Sequence, residues 1–233
     1  MLAHNKKHDI KTQFAKDIQN HGIDVRHDEG LYRHVVFSRP GTSCYMFSLT
    51  TTPGRLIYAG DMGCFVFERL LDMFEFFRGE REPNFGYWHE KLVAVSSTGG
   101  SSERSVERFR ENLESYLEDK DELTPSQLEG VKDFIEDVCD QYEDEGPDAA
   151  YRTVMDFCLE SLNSEPDYTK NHRPFFSDFW EYSDAVYSYQ YEWACYAIRW
   201  AIDRYDAHKV EARDAHAKRL IPDDWFVPAK EIA

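Results

Sequence analysis

Three strand-like runs separated by Pro-Gly pairs decide the fold: LYRHVVFSRPGTSCYMFSLTTTPGRLIYAG, residues 31–60. The runs are rich in β-branched and aromatic residues, and Pro-Gly is a turn signal, so the segment predicts an antiparallel meander. In the second run, Tyr45, Phe47 and Leu49 alternate with Cys, Met and Ser and give the sheet one apolar face. Such a face needs a covering layer. The predicted strands span Leu31–Arg39, Ser43–Thr51 and Arg55–Gly60.

The covering layer is predicted in the segment GDMGCFVFERLLDMFEFF, residues 60–77. Its apolar residues recur at helical spacing and predict a helix over residues 64–78. The Gly60–Gly63 turn is then the corner between strand and helix. It lacks the spacing of a phosphate-binding loop, and Asp61 would repel an anion but suits a helix N-cap. The helical stripe consists of Phe67, Leu70, Leu71, Phe74 and Phe77.

Further elements lie on both sides of this core. Ile10, Phe14 and Ile18 are spaced by four and predict an N-terminal helix over residues 5–19. Residues 87–97 predict either a fourth strand or a helical turn followed by a strand. The Gly- and Ser-rich segment 97–103 is the predicted domain boundary.

Beyond residue 103 the apolar residues recur at helical spacing. Helices are predicted over about 103–119, from Thr124, from Gly146, and from Asp178 to Lys218. The fold class is therefore α+β. A small antiparallel β-meander covered by helices occupies residues 1–100, and an acidic helical region, residues 101–233, packs on it and contains one long C-terminal helix.

The acidic charge is concentrated in one part of the chain. The formal net charge is −17, and residues 103–148 carry 17 acidic against 5 basic residues. This charge excludes direct nucleic-acid binding and favours a protein partner with a basic surface. No window is long and apolar enough to span a membrane, and the N-terminus has no signal-peptide pattern. The five cysteines are far apart, which indicates reduced thiols and a cytoplasmic protein.

The sequence contains no catalytic or metal-binding motif. It has no G-x-S-x-G, no H-E-x-x-H and no Cys/His cluster, so we expect no catalytic residues, no metal and no cofactor. An enzyme is therefore the less favoured interpretation. In that alternative, a small ligand or nucleotide would bind near the meander, in a pocket with Arg33, His34, Arg55 and Asp61 at its rim.

The acidic run EGVKDFIEDVCDQYEDEGPD, residues 129–148, carries the strongest functional signal. Carboxylates recur every three or four residues opposite an apolar stripe, so a helix would present them as one rigid row. Such a row resembles the charge pattern of a nucleic-acid backbone, but a solvated face that keeps the protein dispersed has the same pattern. Both interpretations stay open. The predicted partner-binding residues are Asp133, Glu136, Asp137, Asp140, Glu143 and Asp144.

The long C-terminal helix is rich in aromatic residues and poor in basic ones. Its seam predicts a thick helical core, and self-association of a structural or assembly protein, a homo-oligomer, is the alternative. The seam consists of Val186, Tyr189, Trp193, Tyr196 and Trp200.

Two segments of the first half resemble a group of small, functionally unassigned proteins of phages and prophages. They are HDEGLYRHVVFSRPGTSCYMFSL, residues 27–49, and GDMGCFVFERLLDMFEFFR, residues 60–78. With GYWHEKLVAV, the resemblance covers about the first 95 residues; the helical half lies outside it. The group has no assigned activity or catalytic residues. It implies a bacterial cytoplasm and a mobile-element gene, and such genes often encode inhibitors of host defence. Together with the charge, this predicts a non-enzymatic accessory protein of the anti-CRISPR or anti-restriction type, acting by acidic nucleic-acid mimicry.

Overall fold

The computed structural model describes residues 9–79, 82–97, 99–118, 120, 123–162 and 174–220. It confirms the α+β class: a six-stranded antiparallel meander is accompanied by helices, and one long helix follows near the C-terminus. The chain divides into two compact units. Residues 102–188 form the helical unit, and the sheet unit combines the segment that ends at Ser101 with the helix that begins at Tyr189. Within the described ranges no helix is long and apolar enough to cross a membrane.

The sheet follows the order of the chain. Each strand pairs antiparallel with the next, so Val35, Leu49, Tyr58 and Phe65 lie side by side across four strands and are fully buried. The alternation of buried and partly buried residues in β3 confirms the single apolar face predicted there. The strands are β1 (Gly22–Glu29), β2 (Tyr32–Ser38), β3 (Phe47–Thr52), β4 (Arg55–Gly60), β5 (Gly63–Glu68) and β6 (Leu92–Val95).

The prediction of one helix over residues 64–78 is wrong in its first part. Gly60 pairs with Gly63 across the two-residue turn Asp61-Met62, so β4 and β5 form a hairpin instead of a strand–helix corner. Gly63 has φ +99°, a left-handed conformation that glycine adopts without strain. Phe65 and Phe67 alternate along β5 and enter the sheet core, while the predicted stripe residues at 70 and 71 are exposed.

Among the described residues of this unit, four helices accompany the sheet: α1 (Ile10–Asp17), α2 (Met73–Phe77), α3 (Phe85–His89) and α7 (Tyr189–Leu220). Ile10, Phe14 and Ile18 are buried as the N-terminal helix predicts, while residues 5–8 of that prediction lie outside the described chain. Residues 87–97 contain the end of α3 followed by β6, which is the second of the two predicted alternatives.

The long helix α7 supplies most of the aromatic cover of the sheet. Trp193 packs edge-on against Phe47 with ring centroids 5.9 Å apart, and Trp200 packs against Phe37 at 5.5 Å. Phe14 of α1 meets Trp193 at 5.1 Å, and the indole of Trp193 donates a hydrogen bond of 3.0 Å to Asp17. Of the predicted seam, Trp193 is buried in the core of this unit, and Tyr189, Tyr196 and Trp200 are partly buried. Val186 belongs to the helical unit instead.

The helical unit contains α4 (Val106–Glu118), α5 (Pro125–Glu145), α6 (Pro147–Asp156) and a two-stranded ribbon of β7 (Ser102–Arg104) and β8 (Ala185–Tyr187). The long helix was predicted from Asp178, but it begins at Tyr189. Residues 185–187 instead form an extended strand that pairs with β7, and the side chains of Val186 and Tyr187 are buried there. Whereas the sequence groups the long helix with the acidic half, the structure groups it with the sheet.

Candidate functional site

The acidic helix α5 begins at a well-defined cap. The Thr124 hydroxyl accepts a hydrogen bond from the Gln127 backbone N–H, and the Gln127 side chain accepts one from the Thr124 N–H. This reciprocal capping box satisfies two backbone donors, and Pro125 fits the first helical turn, where no intrahelical partner for its nitrogen is needed. The 21 residues of α5 therefore start at a fixed point and form a rod about 30 Å long.

One face of α5 is buried in the core of the helical unit. Phe134 stacks on Phe157 with ring centroids 3.9 Å apart, and Tyr142 packs against Phe109 of α4 at 4.9 Å. The buried residues of this face recur at helical spacing, as the predicted stripe requires. They are Val131, Ile135, Val138, Cys139 and Tyr142.

A polar cluster near the end of α5 joins it to its neighbours. The Tyr142 hydroxyl donates a hydrogen bond of 2.6 Å to the buried carboxylate of Asp184, and the Arg104 Nε–H donates another of 2.9 Å. Arg104 also reaches Asp148 at the start of α6. Burial and the bond to Asp184 raise the pKa of Tyr142, so the phenol stays protonated and keeps donating. The cluster fixes the orientation of α5.

The opposite face of α5 carries the predicted partner-binding carboxylates, and all six are exposed to solvent. Glu136 lies 3.6 Å from Arg110 of α4. Within the part of the chain that the structure describes, the other five form no ion pair. The helix as a whole has eight carboxylates and a single basic residue, Lys132. The face is therefore rigid, negatively charged and largely uncompensated.

The four residues predicted at a ligand pocket are not brought together. Arg33 points into the core of the sheet unit, where its Nη1 donates a 2.8 Å hydrogen bond to Asp72. The Nδ1 atom of His34 lies 2.8 Å from the Thr50 hydroxyl oxygen. Arg55 pairs with Glu68 across the β4–β5 hairpin. The Asp61 carboxylate accepts a 2.6 Å bond from the Tyr45 backbone N–H, instead of capping a helix. Each side chain thus has a partner within the fold.

Among the described residues, no group of three or more His, Cys, Asp or Glu side chains is arranged to hold a metal ion. His89 lies 3.0 Å from the Ser101 hydroxyl, and burial lowers the pKa of its imidazole. Its neutral ring therefore takes part in a local hydrogen bond.

Comparison with known proteins adds no assignment. No family model, no curated protein and no solved structure matches the chain. The resemblance to phage and prophage proteins stays a prediction.

Sequence reasoning missed the cluster that holds α5 in place. Arg104 and Asp184 are 80 residues apart, and Tyr142 is 42 residues from Asp184. Local spacing carries no signal for such contacts, and Asp184 was assigned to a helix that starts later in the structure. The missed residues position the acidic face and do not belong to it.

Proposed function

We propose that this protein binds a basic, nucleic-acid-binding surface of a bacterial defence component through the acidic face of α5, and inhibits it. The concrete form is a phage or prophage accessory protein of the anti-CRISPR or anti-restriction type. The observation that supports it best is the row of six exposed carboxylates on one rigid helix, of which only Glu136 is ion-paired among the described residues.

The spacing of these charges fits a nucleic-acid mimic. From Asp133 to Asp144 the helix rises about 17 Å, so the six carboxylates provide roughly one charge every 3 Å. Each strand of DNA carries about one phosphate per 3.4 Å of helix axis. A protein groove lined with Lys and Arg side chains would therefore meet a similar charge per unit of axial length on α5. Charge complementarity of this kind favours fast association and sensitivity to salt.

The test is a charge reversal within the row. Glu136, Asp137, Asp140 and Glu143 are changed together to Lys, and the protein is expressed in host strains that carry a CRISPR or restriction system. The unaltered protein is expected to restore plaquing of a phage that the system blocks. The reversed protein is expected to lose this effect, because its face now repels a basic surface. Lys keeps the helix intact, since its helix propensity is close to that of Glu.

A matched control distinguishes the effect of reversing charges on α5 from the effect of changing the net charge. Reversal of the exposed Glu29, Asp203, Glu211 and Asp214, all in the sheet unit, changes the formal net charge by the same amount, from −17 to −9. We expect this control to keep the inhibitory effect. If the α5 variant folds normally and still restores plaquing as well as the unaltered protein does, the mimic proposal fails.

A further inference from the structure

A groove of about 440 Å³ runs between α4 and α5 in the helical unit. Its floor is apolar and is formed by Leu117 of α4 and by Leu128 and Ile135 of α5. Leu128 is 36% exposed, so this floor is open to a partner. The volume is within the usual range of about 300–1,000 Å³ for binding sites in proteins.

The edges of the groove are charged. Glu114 and Glu118 line it on α4, and Glu136 lines it on α5. Glu136 also belongs to the acidic row, so the apolar floor and the carboxylates form one continuous surface. Neither Glu114 nor Glu118 forms an ion pair with any other described residue.

From this surface we propose that the groove binds the apolar side of a basic amphipathic helix from the partner protein. The proposal rests on the proposed function and names the element of the basic partner that is recognised. Helices commonly bind in this way, with apolar anchors at i, i+3, i+4 and i+7 in a groove. Here the anchors would cover Leu128, and the Lys and Arg side chains on the flanks of the same helix would face the carboxylates that line the groove, Glu114 and Glu118 of α4 and Glu136 of α5.

The two basic residues at the groove fix which side of the partner enters. Arg110 and Lys132 line the groove and would repel Lys or Arg side chains placed on its floor. The carboxylates at the edges of the groove, Glu114, Glu118 and Glu136, would instead attract basic side chains on the flanks of that helix. An amphipathic helix satisfies both conditions at once, whereas an evenly basic extended segment satisfies only the second.

The test compares two synthetic 18-residue peptides of identical Leu and Lys composition. In one, Leu recurs at helical spacing on a single face, and in the other the same residues are scrambled. Binding to the full chain is measured by fluorescence anisotropy at low and physiological salt. We expect the patterned peptide to bind about tenfold more tightly than the scrambled one. Both peptides carry the same charge, so the difference isolates the groove from general attraction to an acidic protein.

A neutral substitution in the floor provides the second arm. Leu128→Gln is expected to remove the preference for the patterned peptide and to leave binding of the scrambled peptide unchanged. Leu71→Gln, at a 69% exposed leucine of the sheet unit, is the matched control and is expected to keep the preference. Circular dichroism verifies that both variants are folded.

Equal binding of the two peptides to the unaltered protein, or a preference that survives Leu128→Gln, overturns the groove proposal. Absence of binding by both peptides overturns it as well. These outcomes leave the charge-reversal result in the plaquing assay untouched, so failure of the groove and failure of the proposed function are distinguishable.

Discussion

The ion pair between Arg33 and Asp72 gives the sharpest stability prediction. Two parallel hydrogen bonds of 2.8 and 2.9 Å join the guanidinium to the carboxylate, and the two side chains are only 9% and 23% exposed. The guanidinium also lies 4.7 Å from the ring centroid of Phe74. Its Nε has no hydrogen-bond partner among the described residues. Asp72 is therefore the main group that compensates the buried charge of Arg33, and Asp28 adds a weaker electrostatic attraction.

We expect Asp72→Asn to lower the free energy of unfolding of the sheet unit by about 2–3 kcal/mol. Removing one partner of a fully buried ion pair costs roughly 3–5 kcal/mol. The expected loss is smaller here because Asp72 is partly exposed. Asn also keeps an acceptor for the Phe74 N–H, which Asp72 caps at the start of α2. For a chain of this size the loss corresponds to a melting temperature about 4–12 °C lower.

The assay is urea unfolding followed by tryptophan fluorescence. Trp88 and Trp193 are buried in the sheet unit, whereas Trp180 of the helical unit is 65% exposed, so the signal reports mainly on the sheet. The control is Glu68→Gln, which breaks the exposed pair with Arg55 and should cost about 0.5 kcal/mol or less. A loss for Asp72→Asn no larger than that of Glu68→Gln would refute the assignment of a buried, mutually dependent pair.

The same pair predicts a pH dependence. Burial by itself would raise the pKa of Asp72, but the hydrogen bonds from Arg33 and from the Phe74 backbone outweigh it and hold the pKa below 3.8. Because the folded-state pKa is lowered, the stabilisation is present above pH of about 4 and is lost as pH falls through the folded-state value. Asp72→Asn should therefore flatten the fall in stability below about pH 4. If the free energy of unfolding of the variant falls as steeply below about pH 4 as that of the unaltered protein, this account is contradicted.

Three further predictions address the hairpin, the acidic helix and the thiols. A Cβ at Gly60 would lie 2.3 Å from the Met46 carbonyl oxygen, so Gly60→Ala should destabilise the sheet by about 2 kcal/mol or more in urea unfolding. Gly22→Ala, whose nearest contact would be 3.9 Å away, should be nearly neutral, and equal losses would contradict the packing argument. Thr124→Ala should cost about 1 kcal/mol by removing the capping box of α5, measured by helical ellipticity during unfolding, and no change would contradict the cap. With Ellman's reagent at pH 8, the exposed Cys44 should react rapidly. The buried Cys139 and Cys195 should stay protected until the protein unfolds, because burial raises the pKa of both thiols, that of Cys139 to about 11. Rapid reaction of either buried thiol in the folded protein would show that it is not buried.

Local patterns were sufficient for the elements whose signals are local. The alternation around Phe47 predicted β3, and the pair Thr124-Pro125 predicted the start of α5. The strand β5 was missed because Phe67 fits both a helical stripe with Phe74 and a strand alternation with Phe65, and only pairing with β4 decides between them. The strand β1 was missed because Ile23 and Val25 are its only large apolar residues and neither is buried, so its alternation is too short to predict a strand.

The candidate site was likewise predictable only where its features follow from local sequence patterns. The exposure of the six carboxylates follows from helical periodicity and was predictable. The cluster of Arg104, Tyr142 and Asp184 depends on contacts over 42 and 80 residues, which no local pattern encodes. The apolar floor of the α4–α5 groove depends likewise on how two helices pack. The sequence therefore predicts the charge of the site better than its shape.

The most direct test of the central claim is capture from a bacterial lysate followed by competition with nucleic acid. The immobilised protein is expected to retain a basic, nucleic-acid-binding defence protein and to release it when a double-stranded DNA oligonucleotide is added. Protein carrying Lys at 136, 137, 140 and 143 should not retain it, whereas the control variant reversed at 29, 203, 211 and 214 should. Retention of the same protein by the α5 variant, without displacement by DNA, would contradict the proposal that this helix acts as a nucleic-acid mimic.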